Sequence, residues 1–319
     1  MREVRPPTAQ QMDEAWSVVR HHLAPTPVVA APQLGPRVAV KLETVQPTGS
    51  FKVRGGLAAT AATAAADPGR ALVTSSAGNH GLGLAFAASE LSARATVVVP
   101  TTASAAKVSA LRHFDVELVL EGDGYSDAES YALELAAGEG SRYVSPYNDA
   151  DVIAGQATIA RELLEQVPSL GTVVVPVGGG GLLAGLCLGF DGTAVRVVGV
   201  ESEASPAVSA AVAAGHVVPV DVGPTLADGL AGNLEAGSVT IGIVSAHGAE
   251  VHTVSEADIG SAMAFAAVHM GLVLEGAGAV GVAAVRAGLV PPCPDGRTTV
   301  VLLTGRNAAP ALLLEVLCA

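Results

Sequence analysis

TVVVPVGGGGLLAGL, residues 172–186, joins a β-branched apolar run to an apolar helical start through four consecutive glycines. Residues 172–177 read as a strand, since Val and Thr favour the extended chain and no charge interrupts them. The four glycines read as a turn, and LLAGL opens a helix. A strand apolar on both faces and followed at once by a helix is the unit of a parallel sheet covered on both sides. The surrounding twenty residues, Gly171 to Phe190, carry no charge, which is the length of a membrane span. Pro176 and the glycine run divide them into halves too short to cross a bilayer, so a buried strand, turn and helix is the better reading.

The same alternation extends in both directions. Upstream, Val152 to Val167 has Ile153, Ala157, Ala160, Leu164 and Val167 at helical spacing, and strands are expected at 97–99 and 116–120 with helices at 103–113 and 125–137. Downstream, a strand is expected at 196–200, a helix at 256–270 with Ser255 as its N-cap, and a strand at 298–303. Near the start, Thr8 and Gln11 have capping-box spacing ahead of a helix that Pro25 and Pro27 stop after Leu23. The alanine-rich 58–66 is expected to be helical. The fold class is therefore α/β, with two open, mostly parallel sheets and helices on both faces. Two series meeting near residues 142–150 suggest an active site in the cleft between the sheets. The expected division is a large cofactor-binding domain of residues 1–69 and 148–319, and a small substrate-loop domain of 70–147.

Composition narrows the function. The 319 residues are 50% hydrophobic but only 3% aromatic, with 37 glycines, as in a glycine-rich α/β enzyme. A net charge of −13 is the wrong sign for neutralising nucleic-acid phosphates. Residues 1–16 carry charges and no apolar core, so neither a signal peptide nor a membrane anchor is expected. Cys187, Cys293 and Cys318 are odd in number and far apart, which reads as free thiols in a reducing cytoplasm.

Three constellations carry chemistry. Gly178 to Gly181 leave backbone N–H groups free to close on an anion at a helix N-terminus. They read equally as a single-phosphate cradle or, through Gly179, Gly181, Ala184 and an acid at Glu201, as a dinucleotide fingerprint. Tight strand-to-helix packing would also explain them. Lysine is scarce, with Lys41, Lys52 and Lys107 against fourteen arginines. Lys107 reads as a solvated charge and Lys41, beside Glu43, as an exposed strand end. Lys52, in QPTGSFKVRGG, has the amine that could form an imine with a carbonyl, which guanidinium cannot. The third is SSAGNHG, residues 75–81, a strand-to-helix turn rich in hydroxyl, amide and N–H donors that would suit a carboxylate or serve as an ordinary cap.

Taken together and in order, KLETVQPTGSFKVRGG, SSAGNHG, DVIAGQATIARELLEQVP, PVGGGGLLAG, ADGLAGN, EGAGAVGVAAV and LLTGRN resemble the fold-type-II pyridoxal-phosphate enzymes, specifically the threonine and serine dehydratases and their sister serine racemases. The resemblance runs from about Thr26 to Asn307 and implies the tryptophan-synthase-β-like fold, a pyridoxal 5'-phosphate cofactor and a homodimer. It implies that Lys52 carries the cofactor in imine linkage and is the catalytic base. Phe51 would pack at the ring, Asn79 bond the ring hydroxyl, Gly178, Gly179, Gly180, Gly181 and Leu182 cradle the phosphate, and Thr304 face the pyridine nitrogen. Gly229 and Glu275 fall in motifs lining the same pocket. Ser75, Ser76, Ala77, Gly78, Asn79 and His80 would receive the substrate carboxylate, and Tyr147 would border the side-chain pocket. The family also suggests the cofactor phosphate as the acid for the departing hydroxyl.

The implied reaction is loss of the Cα proton and the β-hydroxyl from an L-β-hydroxy amino acid, giving a 2-oxo acid and ammonia. A threonine hydroxyl cannot protonate pyridine, so the ring is a weak electron sink and suits elimination. Thr304 replaces the more usual serine, and Arg306 stands where a small residue is common. Racemisation needs an acid-base group on each face of Cα, and Ala77 stands where the racemases place a serine. A racemase is the alternative within the family. A NAD-binding oxidoreductase would explain the glycines and Glu201 but not Lys52 or residues 75–80. No metal is expected, since Ala207 occupies the place of an acidic ligand. With the chain ending at Ala319, neither the regulatory domain that biosynthetic threonine deaminases carry nor feedback inhibition by isoleucine is expected.

Overall fold

In the computed structural model, residues 3–293 and 295–318 are described. In chain order the elements begin with α1 (Ala9–His22), β1 (Val28–Ala30), β2 (Val38–Leu42), α2 (Lys52–Ala66), β3 (Leu72–Ser75) and α3 (Asn79–Glu90). There follow β4 (Ala95–Val99), α4 (Ala105–Leu111), β5 (Glu117–Leu120), α5 (Tyr125–Glu139), β6 (Arg142–Tyr143) and α6 (Ala150–Gln166). The remainder is β7 (Leu170–Pro176), α7 (Gly181–Gly189), β8 (Arg196–Ser202), α8 (Ala207–Ala214), α9 (Val239–His247), β9 (Glu250–Val254), α10 (Glu256–Met270), α11 (Gly276–Arg286), β10 (Thr298–Leu303) and α12 (Pro310–Cys318). The two sheets are mostly parallel with helices on both faces, as the alternation of elements requires.

Compact units divide the chain differently from the expected boundaries. One unit holds 1–6, 25–45 and 159–319, and the other holds 7–24 and 46–158. Residues 46–69, expected in the large domain, belong with the small sheet because α2 packs along α3. The α2 helix also starts six residues earlier than the alanine run suggested, at Lys52, so Lys52 lies in a first helical turn.

In the second unit the sheet order is β5-β4-β3-β6, all parallel. The chain leaves β3 toward β4 on one side and returns to β6 on the other, so the loop after β3 sits at a topological switch point. Leu72, Leu84, Val144 and Val152 form one core cluster, and Val97, Val99, Val108 and Leu111 another. Thr8 closes the expected capping box on α1, accepting from Gln11 N–H while its own N–H donates to Gln11 Oε1.

In the first unit the order is β1-β2-β10-β7-β8-β9, with only the β1–β2 pair antiparallel. Val40, Val174, Val198, Met263, Val280 and Val301 share its core. Strands β7 and β10 are parallel neighbours, pairing Val174 with Val301. Three residues farther along each strand are Val177 and Thr304, so the glycine run and Thr304 leave the same sheet edge side by side. Ser255 caps α10 as expected, accepting from Asp258 N–H. On α6 the apolar face includes Leu163, fully buried, and not Leu164, which is 41% exposed. Ile159 and Ala160, both fully buried, stand four and three residues before Leu163, which places it on their face.

Candidate active site

The second unit positions Lys52. Its α2 helix crosses α3 at a point where only glycine fits: a Cβ on Gly83 would stand 2.8 Å from the Lys52 carbonyl carbon. This close approach brings the first turn of α2 beside the first turn of α3, and so Lys52 beside residues 75–80. The Lys52 Nζ donates to the Pro146 carbonyl at 2.8 Å and lies 5.3 Å from the centre of the half-buried Phe51 ring. Tyr147, half-buried, is the next residue after that carbonyl.

Ser75 ends β3, Ser76, Ala77 and Gly78 turn, and Asn79 and His80 start α3. The Ser76 hydroxyl accepts from Gly78 N–H at 3.2 Å, which stiffens the turn. His80 is 3% exposed, and its Nε2–H donates to the Val144 carbonyl at 3.2 Å. That bond leaves Nδ1 as a lone-pair acceptor. Burial, and then the positive charge of Lys52, push the His80 pKa down to about 3, so the ring is neutral near pH 7. His80 Nδ1 and the Ser75 hydroxyl are buried with no hydrogen-bond partner among the described residues. Two such polar atoms at a switch-point loop are what a polar ligand would satisfy.

The first unit assembles the glycine run, Gly229, Glu275 and Thr304. Gly180 has φ +83°, a left-handed conformation that a side chain would strain, and a Cβ there would meet Thr240 at 3.1 Å. The N–H groups of Gly178, Gly179 and Gly180 donate to nothing among the described residues. Those of Gly181 and Leu182 open α7, where no preceding turn accepts them. These unpartnered donors, beside a glycine that no side chain can replace without strain, fit a phosphate group. Gly178 abuts Leu230, whose Cα would be 3.1 Å from an added Cβ, and the neighbouring Gly229 faces Ala277 of α11. Glu275, buried, is the N-cap residue of α11, and its N–H donates to the Gly305 carbonyl. Thr304, 3% exposed, precedes that carbonyl, and Arg306 beyond it is exposed.

Two expectations are corrected. Lys41 is fully buried and not an exposed strand end: its ammonium donates to the Thr26 carbonyl at 2.8 Å and to the carboxylate of Glu162. Glu201 is not available to a ribose, because its fully buried carboxylate accepts from Val208 N–H at 2.7 Å and Ser209 N–H at 2.9 Å, capping α8. Burial nevertheless raises its pKa. That removes the acid on which the dinucleotide reading depended.

Sequence inspection missed Thr240, whose hydroxyl donates to the Gly179 carbonyl at 3.0 Å. A Ser-Val-Thr before an apolar helix signals only a cap, which gave no hint of a partner 61 residues away. All three cysteines are free, and burial pushes the Cys187 thiol up to about 12. Among the described residues no helix is long and apolar enough to cross a membrane, and no group of three or more His, Cys, Asp or Glu could hold a metal ion.

The family model for pyridoxal-phosphate dependent enzymes matches residues 19–305. The chain is 38% identical over 275 residues to an L-threonine ammonia-lyase of Thermotoga maritima, covering 86% of this chain and 68% of that one. It is 34% identical over 307 residues to a beta-hydroxyaspartate dehydratase of Paracoccus denitrificans, covering 94% and 96%. The maize serine racemase structure superposes with a TM-score of 0.90 at 26% identity, covering 98% and 97%.

Proposed function

Because this chain belongs to the family of pyridoxal-phosphate dependent enzymes, matched over residues 19–305, we propose that it is an ammonia-lyase converting an L-β-hydroxy amino acid of the serine or threonine type to a 2-oxo acid and ammonia. The observation that carries this reading is Lys52, the one lysine set beside a donor-rich switch-point loop. The L-threonine ammonia-lyase and beta-hydroxyaspartate dehydratase among its relatives act in that substrate class.

The residues that would hold the cofactor are Lys52 by its amine, Phe51 and Asn79 at the ring, Gly178 to Leu182 at the phosphate and Thr304 at the ring nitrogen, with Gly229 and Glu275 around it. Bound there, pyridoxal phosphate supplies the electron sink that weakens the Cα–H bond of an amino acid joined to it. Residues 75–80 hold the substrate carboxylate with N–H and hydroxyl donors at the start of α3. His80, neutral near pH 7, adds no charge beside Lys52. As an amine, Lys52 takes the proton from Cα, and the β-hydroxyl departs with that proton's equivalent as water. Water then returns as the nitrogen leaves, so the net products are one 2-oxo acid and one ammonia.

The experiment is to purify the protein, record its spectrum, and reduce it with borohydride before peptide mapping. A near-violet band that disappears on reduction, with the pyridoxyl group on Lys52, is expected. A pyridoxyl group on Lys41 or Lys107 would sink the assignment. L-serine, L-threonine and β-hydroxyaspartate are then compared for 2-oxo acid and ammonia release, and equal absence with all three would overturn the lyase reading.

A further inference from the structure

Four glycines in a row give a phosphate loop freedom, but freedom does not choose an orientation. The peptide unit between Gly179 and Gly180 can turn either its N–H or its C=O toward an anion, because neither flanking residue has a Cβ to forbid one arrangement. The two faces have opposite consequences. An N–H attracts a phosphate oxygen, and a carbonyl repels it.

The chain supplies the choice from α9. Thr240 is fully buried, and its hydroxyl donates to the Gly179 carbonyl at 3.0 Å. A hydroxyl has one hydrogen, so with that hydrogen committed, the 2.8 Å contact between Ser238 Oγ and Thr240 Oγ1 runs with Ser238 as donor. Ser238 is itself 7% exposed. The result is a directed relay, Ser238 to Thr240 to the Gly179 carbonyl. In a trans peptide the C=O and the following N–H point in opposite directions, and the described residues contain no cis peptide bond. A Gly179 carbonyl held toward Thr240 therefore turns the Gly180 N–H away from α9. The left-handed φ of +83° at Gly180 belongs to this orientation, and Thr240 fills the space a Cβ would need.

We propose that Thr240 is a positioning residue for the cofactor phosphate: its hydroxyl anchors the Gly179 carbonyl so that the Gly180 N–H faces the phosphate. The proposal rests on the pyridoxal-phosphate reading above and adds a residue that never touches the cofactor. Because Thr240 acts only through the phosphate loop, its loss penalises a ligand with a phosphate and spares one without.

The test compares pyridoxal phosphate with pyridoxal, which lacks the phosphate, by equilibrium titration of full-length apoprotein. Thr240→Val keeps the shape and removes the hydroxyl. It is expected to weaken pyridoxal phosphate binding roughly tenfold or more, the effect of a hydrogen bond to a charged group, while pyridoxal binding stays within about twofold of wild type. Thr240→Ser restores the hydroxyl and is expected to recover the wild-type ratio of the two constants. The phosphorus resonance of the bound cofactor should shift in Thr240→Val and return in Thr240→Ser. Should Thr240→Val fail to fold, Ser238→Ala, which removes the donor to Thr240, is expected to move the same ratio in the same direction. Equal weakening of both ligands would make Thr240 merely structural and overturn the proposal, as would no change in either. A wild type that binds neither ligand would instead overturn the pyridoxal-phosphate reading itself.

Discussion

The α-carbon of Gly83 faces the backbone of Lys52 so closely that a Cβ there would stand 2.8 Å from both the Lys52 carbonyl carbon and its oxygen. The contact is backbone to backbone, so no side-chain rotation relieves it. Gly83→Val is expected to push α3 from the first turn of α2 and destabilise the protein by about 1–3 kcal/mol, the usual cost of overpacking a tight core. Lys52 would move with that turn. Thermal melting measures the first effect, and the fraction of protein carrying borohydride-fixed cofactor measures the second. A variant with wild-type melting and full cofactor loading would show that the helix crossing does not set the position of Lys52.

On the proposed lyase reading, Ala77 favours elimination over racemisation. A methyl group neither donates nor accepts a proton, and the nearest hydroxyl in the chain, Ser76, already accepts from Gly78 N–H. Wild-type enzyme given an L-β-hydroxy substrate is expected to form the 2-oxo acid with negligible D-enantiomer. Ala77→Ser is expected to yield some D-enantiomer at the expense of the oxo acid. Chiral chromatography reads both, and D-amino acid from wild type at a rate comparable to the oxo acid would point to Ser76 as a second base.

His80 links stability to pH. Its pKa is about 3 in the folded chain and near 6.5 unfolded, so the unfolded state binds the extra proton between those values. Its contribution is therefore fully present above pH 6.5 and is lost as pH falls toward 3. The total is on the order of 5 kcal/mol at about 1.4 kcal/mol per pKa unit. Denaturant midpoints at pH 7 and pH 4 are expected to differ less in His80→Asn than in wild type. Identical pH dependence in the two proteins would mean that His80 does not titrate out of its buried site.

Lys41 and Glu162 are a buried ion pair, with side chains 0% and 3% exposed. Removing Glu162 takes a carboxylate from the buried Lys41 ammonium, and breaking a buried ion pair typically costs about 3–5 kcal/mol. Glu162→Ala is expected to destabilise by that order in a denaturant melt. Lys41→Met with Glu162→Leu is expected to recover most of it, since both charges then vanish together. A double variant as unstable as the single one would show that packing around the pair, and not the broken ion pair, dominates.

What could be read directly from the residues was local. The capping box of Thr8 and Gln11, the cap at Ser255 and the strand at 298–303 stand where they were expected, because each is decided by neighbours within four positions. The start of α2 was harder. Lys52 to Gly56 contains two glycines, which are poor helix formers, and the helix extends over them because α2 packs on α3. The same holds for α11, whose Gly278 would put a Cβ 2.7 Å from the Gly305 carbonyl oxygen.

The sequence by itself determined the α/β class, the order of the chemical motifs, and the scarcity of lysine that singles out Lys52, since composition, periodicity and capping act over a few residues. Only the tertiary structure decided which polar groups are partners. Lys41 reaches Glu162 across 121 positions, Glu201 turns back to cap α8, and Thr240 holds the carbonyl of Gly179. A buried polar group must find its partner wherever the packed chain delivers one. Chain topology makes that delivery, and no local pattern announces it.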